Sequence, residues 1–182
     1  MTTQPRPSGA MDALALLKTD HERVEEMFAS LAKTSSKKEK AELVDKVCME
    51  LAIHAAVEEQ VFYPAVGKEI GDGDLVGEAM VEHGEAKHLI GLLGAMDPSD
   101  PLYGPTVQVL SEYVRHHVAE EQDKMFPKVK KAKLDLTTLG EAILKRKEEL
   151  LAEAEAKGIE PLLAPASAHR QTKRKQASGA TH

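Results

Sequence analysis

The sequence predicts an all-α protein, an up-down-up-down four-helix bundle with an additional C-terminal helix. Three observations predict this class. Ala, Leu, Val, Glu and Lys dominate the composition, and together they favour helix over strand. Apolar residues recur at spacings of three and four in four long segments, which is the pattern of an amphipathic helix. Fairly short loops connect these segments, as expected for antiparallel neighbours in a bundle.

The first two helical segments precede Pro64. One face of the first carries Leu14, Leu17, His21, Val24, Phe28 and Leu31, and the pattern gives way at "KTSSKK". One face of the second carries Leu43, Val47, Leu51, His54, Glu58 and Val61. We expect Pro64 to end the second helix, because proline disfavours helical geometry in the residue before it.

The third and fourth segments follow loops rich in Gly, Asp and Pro. The third is predicted from about Leu75 to Met96, and its inward candidates are Met80, His83, Ile90 and Leu93. The fourth is expected to stop before Pro127, and its stripe is Val107, Leu110, Val114, His117, Glu121 and Met125.

A fifth helix is predicted from about Thr138 to Ala156. Its start is taken from "TLGE", in which Thr138 and Glu141 would form a capping box. Its weaker apolar stripe consists of Ile143, Leu144, Leu150 and Leu151. We therefore divide the chain into a disordered N-terminus (1–11), a bundle domain (12–132), an additional helix (133–160) and a disordered basic tail (161–182).

Charge and hydropathy narrow the classes of partner. Residues 161–182 carry four basic residues and no acid, so the rest of the chain has a net charge of −10 against −6 for the whole. An acidic body is a poor surface for nucleic acid, so no such partner is expected. No apolar run approaches the roughly 18 residues of a membrane helix. "MTTQPRPSGAMD" is not a secretory signal and Cys48 has no internal disulfide partner, so we expect a cytoplasmic location. We expect a monomer or weak homodimer.

Each of the four apolar stripes contains a histidine at its middle. "HAAVEEQVFYP" (54–64) and "HVAEEQDKMFP" (117–127) add a glutamate four residues after the histidine, one turn along the same helix face. Inward polar residues on all four helices need a common partner, because an unpaired buried charge is very costly. A metal centre supplies that partner. The candidate ligands are His21, His54, Glu58, His83, His117 and Glu121.

The ligand types limit the metal. Histidine and carboxylate ligands without thiolate suit Fe, Mn or Zn. Six ligands, with two carboxylates able to bridge, exceed what one tetrahedral zinc uses, so two non-heme irons are expected. A ferritin-like centre is disfavoured, because that class uses Glu-x-x-His at i, i+3.

The segments that carry these residues resemble the hemerythrin family, in its wider bacterial HHE cation-binding form. They are "DHERVEEMF" (20–28), "HAAVEEQVFYP" (54–64), "EHGEAKHLI" (82–90) and "HHVAEEQDKMFP" (116–127), and the resemblance covers roughly residues 12 to 130. It implies a four-helix bundle with a carboxylate-bridged di-iron centre. It also implies that the six candidates are the ligands, with Glu58 as a bridge. O2 binding, oxygen or redox sensing, iron handling, nitric oxide response and peroxide breakdown all occur in this family.

The sequence departs from the O2-carrying members of the family. Those proteins have His-x-x-x-His on the third helix, but the residue four after His83 is Lys87, and His88 lies about 100° off the face. They also use a longer His-x-x-x-x-Asp step on the fourth helix, which His116 and Glu121 would satisfy. The apolar stripe favours His117 instead. His116, His88 and Glu59 remain alternative ligands or outer hydrogen-bond partners.

Other residues near the motifs have structural interpretations. Phe28, Phe62 and Phe126 are expected to pack in the core, and Cys48 is expected to be a small core or flank residue. Tyr63 is expected at an interface, because its neighbour Phe62 lies closer to the ligand face.

Lys87 also bears on function, because a missing ligand leaves an iron with an open position for peroxide, O2 or nitric oxide. We therefore expect breakdown of peroxide in redox defence, with a catalase-like enzymatic activity as the hypothesis. The alternative is a protein that reversibly binds O2, stores iron or senses oxygen or nitric oxide without turnover.

Overall fold

The computed structural model describes residues 12–164, and within that range the chain is helical without strands. The predicted all-α class is confirmed. The α-helices are α1 (Ala13–Lys33), α2 (Lys37–Val57), α3 (Tyr63–Val66), α4 (Gly73–Ala95), α5 (Tyr103–Glu120), α6 (Phe126–Lys131) and α7 (Leu136–Lys157). Two π-helical turns, Glu58–Phe62 and Glu121–Met125, join α2 to α3 and α5 to α6, and a 3₁₀ helix, Glu160–Leu163, follows α7.

The two prolines do not end their helices as expected. Pro64 lies inside α3 and Pro127 inside α6, each as the second residue of its helix. In the turn before each proline, hydrogen bonds span five residues, from the Tyr63 N–H to Glu58 O and from the Phe126 N–H to Glu121 O. The missing proline N–H is tolerated in a first helical turn, so the helical path continues through α3 and α6.

Side-chain caps define the starts of four long helices. Asp12, Ser36 and Asp72 each accept a hydrogen bond from the backbone N–H three residues ahead. Asp135 accepts from the N–H groups of Thr137 and Thr138, at 3.1 and 3.0 Å. The fifth long helix therefore begins at Leu136, and the predicted Thr138–Glu141 capping box is wrong, because an earlier aspartate satisfies these donors.

Two apolar clusters fill the bundle, and along α1, α2, α4 and α5 a histidine lies between them. One cluster includes Leu17, Ala52, Ala79 and Val129, and Phe62 and Phe126 belong to it. The other includes Val24, Val47, Ile90 and Leu110, and Phe28 and Cys48 belong to it. The polar residues therefore form a layer with apolar packing on both sides, which restricts water around them.

Helix α7 packs against α1, α2 and the Glu58–Phe62 turn. Its buried residues include Ile143, Leu150 and Ala154, whereas Leu144 and Leu151 are 39% and 42% exposed. The predicted stripe was therefore wrong at those two positions, because the buried face follows spacings of seven and four through Ile143 and Leu150 to Ala154.

The chain ends fall partly outside the described residues. The expected disordered N-terminus (1–11) and residues 165–182 of the expected tail lie outside them. At 161–164 the tail prediction is wrong, because Leu162 is buried against the first cluster. None of the helices in the described range is both long and apolar enough to cross a membrane.

Candidate metal centre

Four histidines, one from each long helix of the bundle, meet in the polar layer. The Nε2 atoms of His21 and His54 lie 3.1 Å apart, and those of His83 and His117 also lie 3.1 Å apart. All four side chains are buried. The helix stripes bring these imidazoles together in two pairs that point their Nε2 atoms at the centre.

Two carboxylates complete the layer. Glu58 and Glu121 are 0% and 1% exposed, and each begins a π-helical turn. Glu58 Oε2 lies 3.2 Å from His54 Nε2 and 3.3 Å from His83 Nε2, so it reaches both histidine pairs. Glu121 Oε2 lies 3.3 Å from His21 Nε2 and 3.7 Å from His117 Nε2. π-Helical turns are frequent at functional sites, and here they place both carboxylates between the pairs.

The donor atoms form two overlapping groups of metal-ligand type. One group is His21, His54, Glu58 and Glu121, and the other is Glu58, His83 and His117. Within the described residues, Glu58 Oε1 and Glu121 Oε2 are buried without a hydrogen-bond partner. Burial and the nearby Glu121 carboxylate raise the pKa of Glu58 well above its usual range. Two carboxylates in such a site need a positive partner, so the residues fit metal cations.

The outer nitrogen of each histidine has a polar neighbour. His83 Nδ1 lies 3.2 Å from Glu59 Oε1, and His117 Nδ1 lies 2.8 Å from Glu82 Oε2. The remaining pairs are His21 Nδ1 with Gln122 Nε2 at 3.2 Å and His54 Nδ1 with Asp20 Oδ2 at 3.7 Å. Such outer partners orient metal-binding imidazoles and leave Nε2 for the metal. Burial lowers the pKa of His54 to about 4, which favours the neutral form that binds metal.

The residue on α4 one turn after His83 is a buried lysine. Lys87 Nζ donates to both oxygens of Glu59 at 2.7 Å, and Glu59 in turn contacts His83. His88 is exposed, so it does not take the place of a second ligand on this helix. Position 87 thus holds a lysine in place of a second imidazole, and its ion pair with Glu59 supports His83.

His116, the alternative ligand on the fourth helix of the bundle, lies at the surface. The His116 side chain is 65% exposed, whereas His117 is buried in the layer. His116 belongs to a more exposed group with Glu82 and Glu120. The structure therefore brings His117 to the centre and leaves His116 outside it.

Sequence reasoning missed Tyr63, which was expected at an interface. Its side chain is buried, and its hydroxyl lies 2.9 Å from Glu121 Oε1, 3.4 Å from Glu58 Oε2 and 3.3 Å from His83 Nε2. Burial and the two glutamates raise the pKa of Tyr63 well above its usual range, so the phenol keeps its proton. The π-helical turn explains the miss, because residues five apart then share a face. The signal in the sequence was a tyrosine followed by proline, five residues after a candidate ligand glutamate.

A cavity of about 30 Å³ adjoins the histidines between α1, α2, α4 and α5. Its polar lining includes the four histidines and Lys87, and its apolar walls include Val24, Leu51 and Ile90. This volume admits one or two water-sized molecules. A small molecule in it would lie beside the imidazoles on largely apolar walls.

Comparisons with known proteins agree with the family resemblance and with the helical fold. The family model described as the hemerythrin HHE cation binding domain matches residues 12–129. A hemerythrin HHE cation binding domain-containing protein from Mycobacterium kansasii, known from a crystal structure, is 25% identical. That match has a TM-score of 0.69 over 84% of this chain and 98% of that chain. A protein from Nostoc sp. named DNA nickase is 29% identical over 128 residues, which are 70% of this chain and 36% of that protein. The chain thus spans about a third of the length of that curated relative.

Proposed function

The chain belongs to the hemerythrin HHE cation-binding family, and from that premise we propose that it holds two non-heme irons and uses them to break down peroxide in redox defence. The main support for a two-metal centre is that Glu58 contacts both buried histidine pairs. Carboxylate oxygens between these pairs have no hydrogen-bond partner among the described residues. Iron is preferred because six nitrogen and oxygen ligands without thiolate exceed the needs of a single zinc.

Each candidate ligand has a defined part in this proposal. His21 and His54 would hold one iron through Nε2, and His83 and His117 would hold the other. Glu58 and Glu121 would bridge and neutralise the two cations. Two bound irons supply the electron transfer to and from a small oxygen species that imidazole and carboxylate groups cannot supply.

Surrounding residues support reaction with a small oxygen species. The cavity beside the imidazoles has room for peroxide, and its apolar walls limit the entry of bulk water. The Tyr63 hydroxyl donates a hydrogen bond to Glu121 Oε1 at 2.9 Å, so it helps to orient that carboxylate at the edge of the centre. Lys87 takes the place where O2 carriers have a further histidine, and an iron with one ligand fewer offers a position for peroxide.

Reversible O2 binding without turnover is the second candidate. The same small apolar-walled cavity favours it, because O2 is retained where water and protons are kept away. Iron storage and sensing of oxygen or nitric oxide share the centre and have no further structural feature in their favour.

Metal analysis tests the centre. We expect close to two irons per chain, and loss of both when Glu58→Ala is combined with Glu121→Ala, because the carboxylates neutralise the paired cations. Glu85→Ala, which removes an exposed carboxylate of α4, is the control and should keep its iron. One zinc per chain, or unchanged iron in the double variant, would contradict the di-iron proposal.

Peroxide addition separates the two candidate functions. The iron-loaded protein should evolve O2 as peroxide disappears, and the double glutamate variant should not. Spectra of the reduced protein in air are recorded in parallel. An O2-dependent spectrum that is reversible and stable for minutes, without peroxide consumption, would favour the carrier.

Partners and location follow the same proposal. O2, peroxide or nitric oxide would be the ligand, and we propose a cytoplasmic monomer or weak homodimer. The name DNA nickase describes the longer Nostoc protein as a whole. We propose no nucleic-acid partner for this chain, because its body is acidic.

A further inference from the structure

Helix α7 carries none of the candidate ligands, yet one of its side chains is linked to the centre. Lys147 of α7 donates a hydrogen bond to Asp20 Oδ1 on α1. Asp20 Oδ2 lies 3.7 Å from His54 Nδ1 on α2. His54 Nδ1 is buried and has no hydrogen-bond partner in the described part of the chain. A lysine, a carboxylate and an imidazole therefore connect α7 to a candidate metal ligand.

Lys147 occupies an unusual place on its helix. It lies four residues after Ile143 and three before Leu150, on the face that α7 buries against the bundle. A lysine among buried apolar residues is unfavourable unless it is paired. Its side chain is 25% exposed and that of Asp20 is 16% exposed, so the pair is largely shielded from water. An apolar residue would serve the packing of this face alone, whereas the lysine adds a cation directed at Asp20.

The other outer partners of the histidines are held within the four-helix bundle. Glu59 and Gln122 come from the two π-helical turns, and Glu82 comes from α4. Asp20 differs from them because the side chain that secures it comes from the additional helix.

We propose that Lys147 is a positioning residue of the metal centre: its ammonium group holds the Asp20 carboxylate beside His54 Nδ1. As a consequence, the packing of α7 on the bundle and the binding of metal stabilise each other. This rests on the proposed function, because it needs His54 to bind metal. The physical reason is that an outer carboxylate fixes the orientation and tautomer of a metal-binding imidazole. Coupling between the packing of α7 and the binding of metal is reciprocal, so bound metal should also stabilise the packed position of α7.

The test compares rates of iron loss to a chelator, using the full-length iron-loaded protein. Lys147→Met keeps the apolar stem but removes the charge, and it should lose iron about tenfold faster than the wild type. Lys147→Arg keeps the charge and should stay close to the wild-type rate. Lys145→Ala changes an exposed lysine of the same helix and should also stay close to it.

Leu150→Ala separates positioning from packing. It removes a fully buried side chain of α7 without touching Asp20, so it should lower the melting temperature more than Lys147→Met does. We nevertheless expect Lys147→Met to lose iron faster. If iron loss in the two variants follows only their melting temperatures, or if Lys147→Met behaves like Lys145→Ala, the proposal is overturned.

Hydrogen exchange tests the reverse direction. Iron loading should increase the protection of α7 amides in the wild type, and this gain should be largely lost in Lys147→Met. Equal gains in both proteins would overturn the proposal. Metal analysis of the wild type comes first, and a wild type that holds no metal would overturn the proposed function together with this inference. A loaded wild type with normal iron retention in Lys147→Met would overturn the inference alone.

Discussion

Replacing Lys87 with methionine should cost the metal-free protein about 3 kcal/mol of its free energy of unfolding. Lys87 Nζ lies 2.7 Å from both oxygens of Glu59, and the two side chains are only 5% and 7% exposed. Methionine fills a similar volume but leaves the Glu59 carboxylate buried without its cation.

The size of this loss follows from the burial of the pair. An exposed ion pair contributes about 0.2–1 kcal/mol, whereas removing one partner of a buried pair costs about 3–5 kcal/mol. Glu59 keeps its contact with His83 Nδ1 at 3.2 Å, which offsets part of the penalty. The expected loss is therefore at the lower end of the range for buried pairs.

The matched control removes both charges. Lys87→Met combined with Glu59→Gln should recover about 2 kcal/mol relative to Lys87→Met, because no unpaired charge remains. The assay is urea unfolding followed by circular dichroism after removal of metal by chelation, since bound metal adds its own stabilisation. A Lys87→Met variant within about 0.5 kcal/mol of the wild type, or a double variant less stable than it, would refute the reasoning.

Three further changes test other parts of the centre. Metal analysis should show that His117→Ala loses iron and that His116→Ala keeps it, because the His116 side chain is 65% exposed. The opposite result would mean that the fourth helix uses the longer His-x-x-x-x-Glu step. Tyr63→Phe removes the hydroxyl 2.9 Å from Glu121 Oε1 and should slow peroxide consumption about tenfold with iron retained, and an unchanged rate would argue against a role for this hydrogen bond. Lys87→His adds an imidazole one turn after His83 and should slow peroxide consumption and prolong any O2-dependent absorption, so a faster rate would count against the open-position argument.

Most of the fold could be predicted from the sequence, because amphipathic periodicity is a local property. The stripes through Leu17, Val47, Ile90 and Leu110 are buried in the two apolar clusters. Several of the errors arose at helix ends, where alternatives differ by little free energy. A proline within a first helical turn does not stop a helix that has already widened to π geometry. Asp135 caps α7 three residues earlier than Thr138 would.

The grouping of the six candidate side chains could also be predicted from sequence, although their binding of metal stays a prediction. His54 and Glu58 lie one turn apart on a single helix, as do His117 and Glu121, so their common direction depends only on helix geometry. The position of Tyr63 beside Glu121 could not be predicted from sequence in the same way. Tyr63 reaches Glu121 because a local π-helical turn rotates the chain after Glu58, and α-helical periodicity places the residue elsewhere.

The sequence by itself determined the all-α class and most of the inward faces of the four ligand-bearing helices, because both depend on spacings within one helix. Tertiary structure alone decided which charges meet across helices. Lys87 meets Glu59, and Lys147 meets Asp20, although the partners are 28 and 127 residues apart in the chain. Such contacts depend on the rotation and packing of whole helices, which side-chain volumes throughout the core determine together.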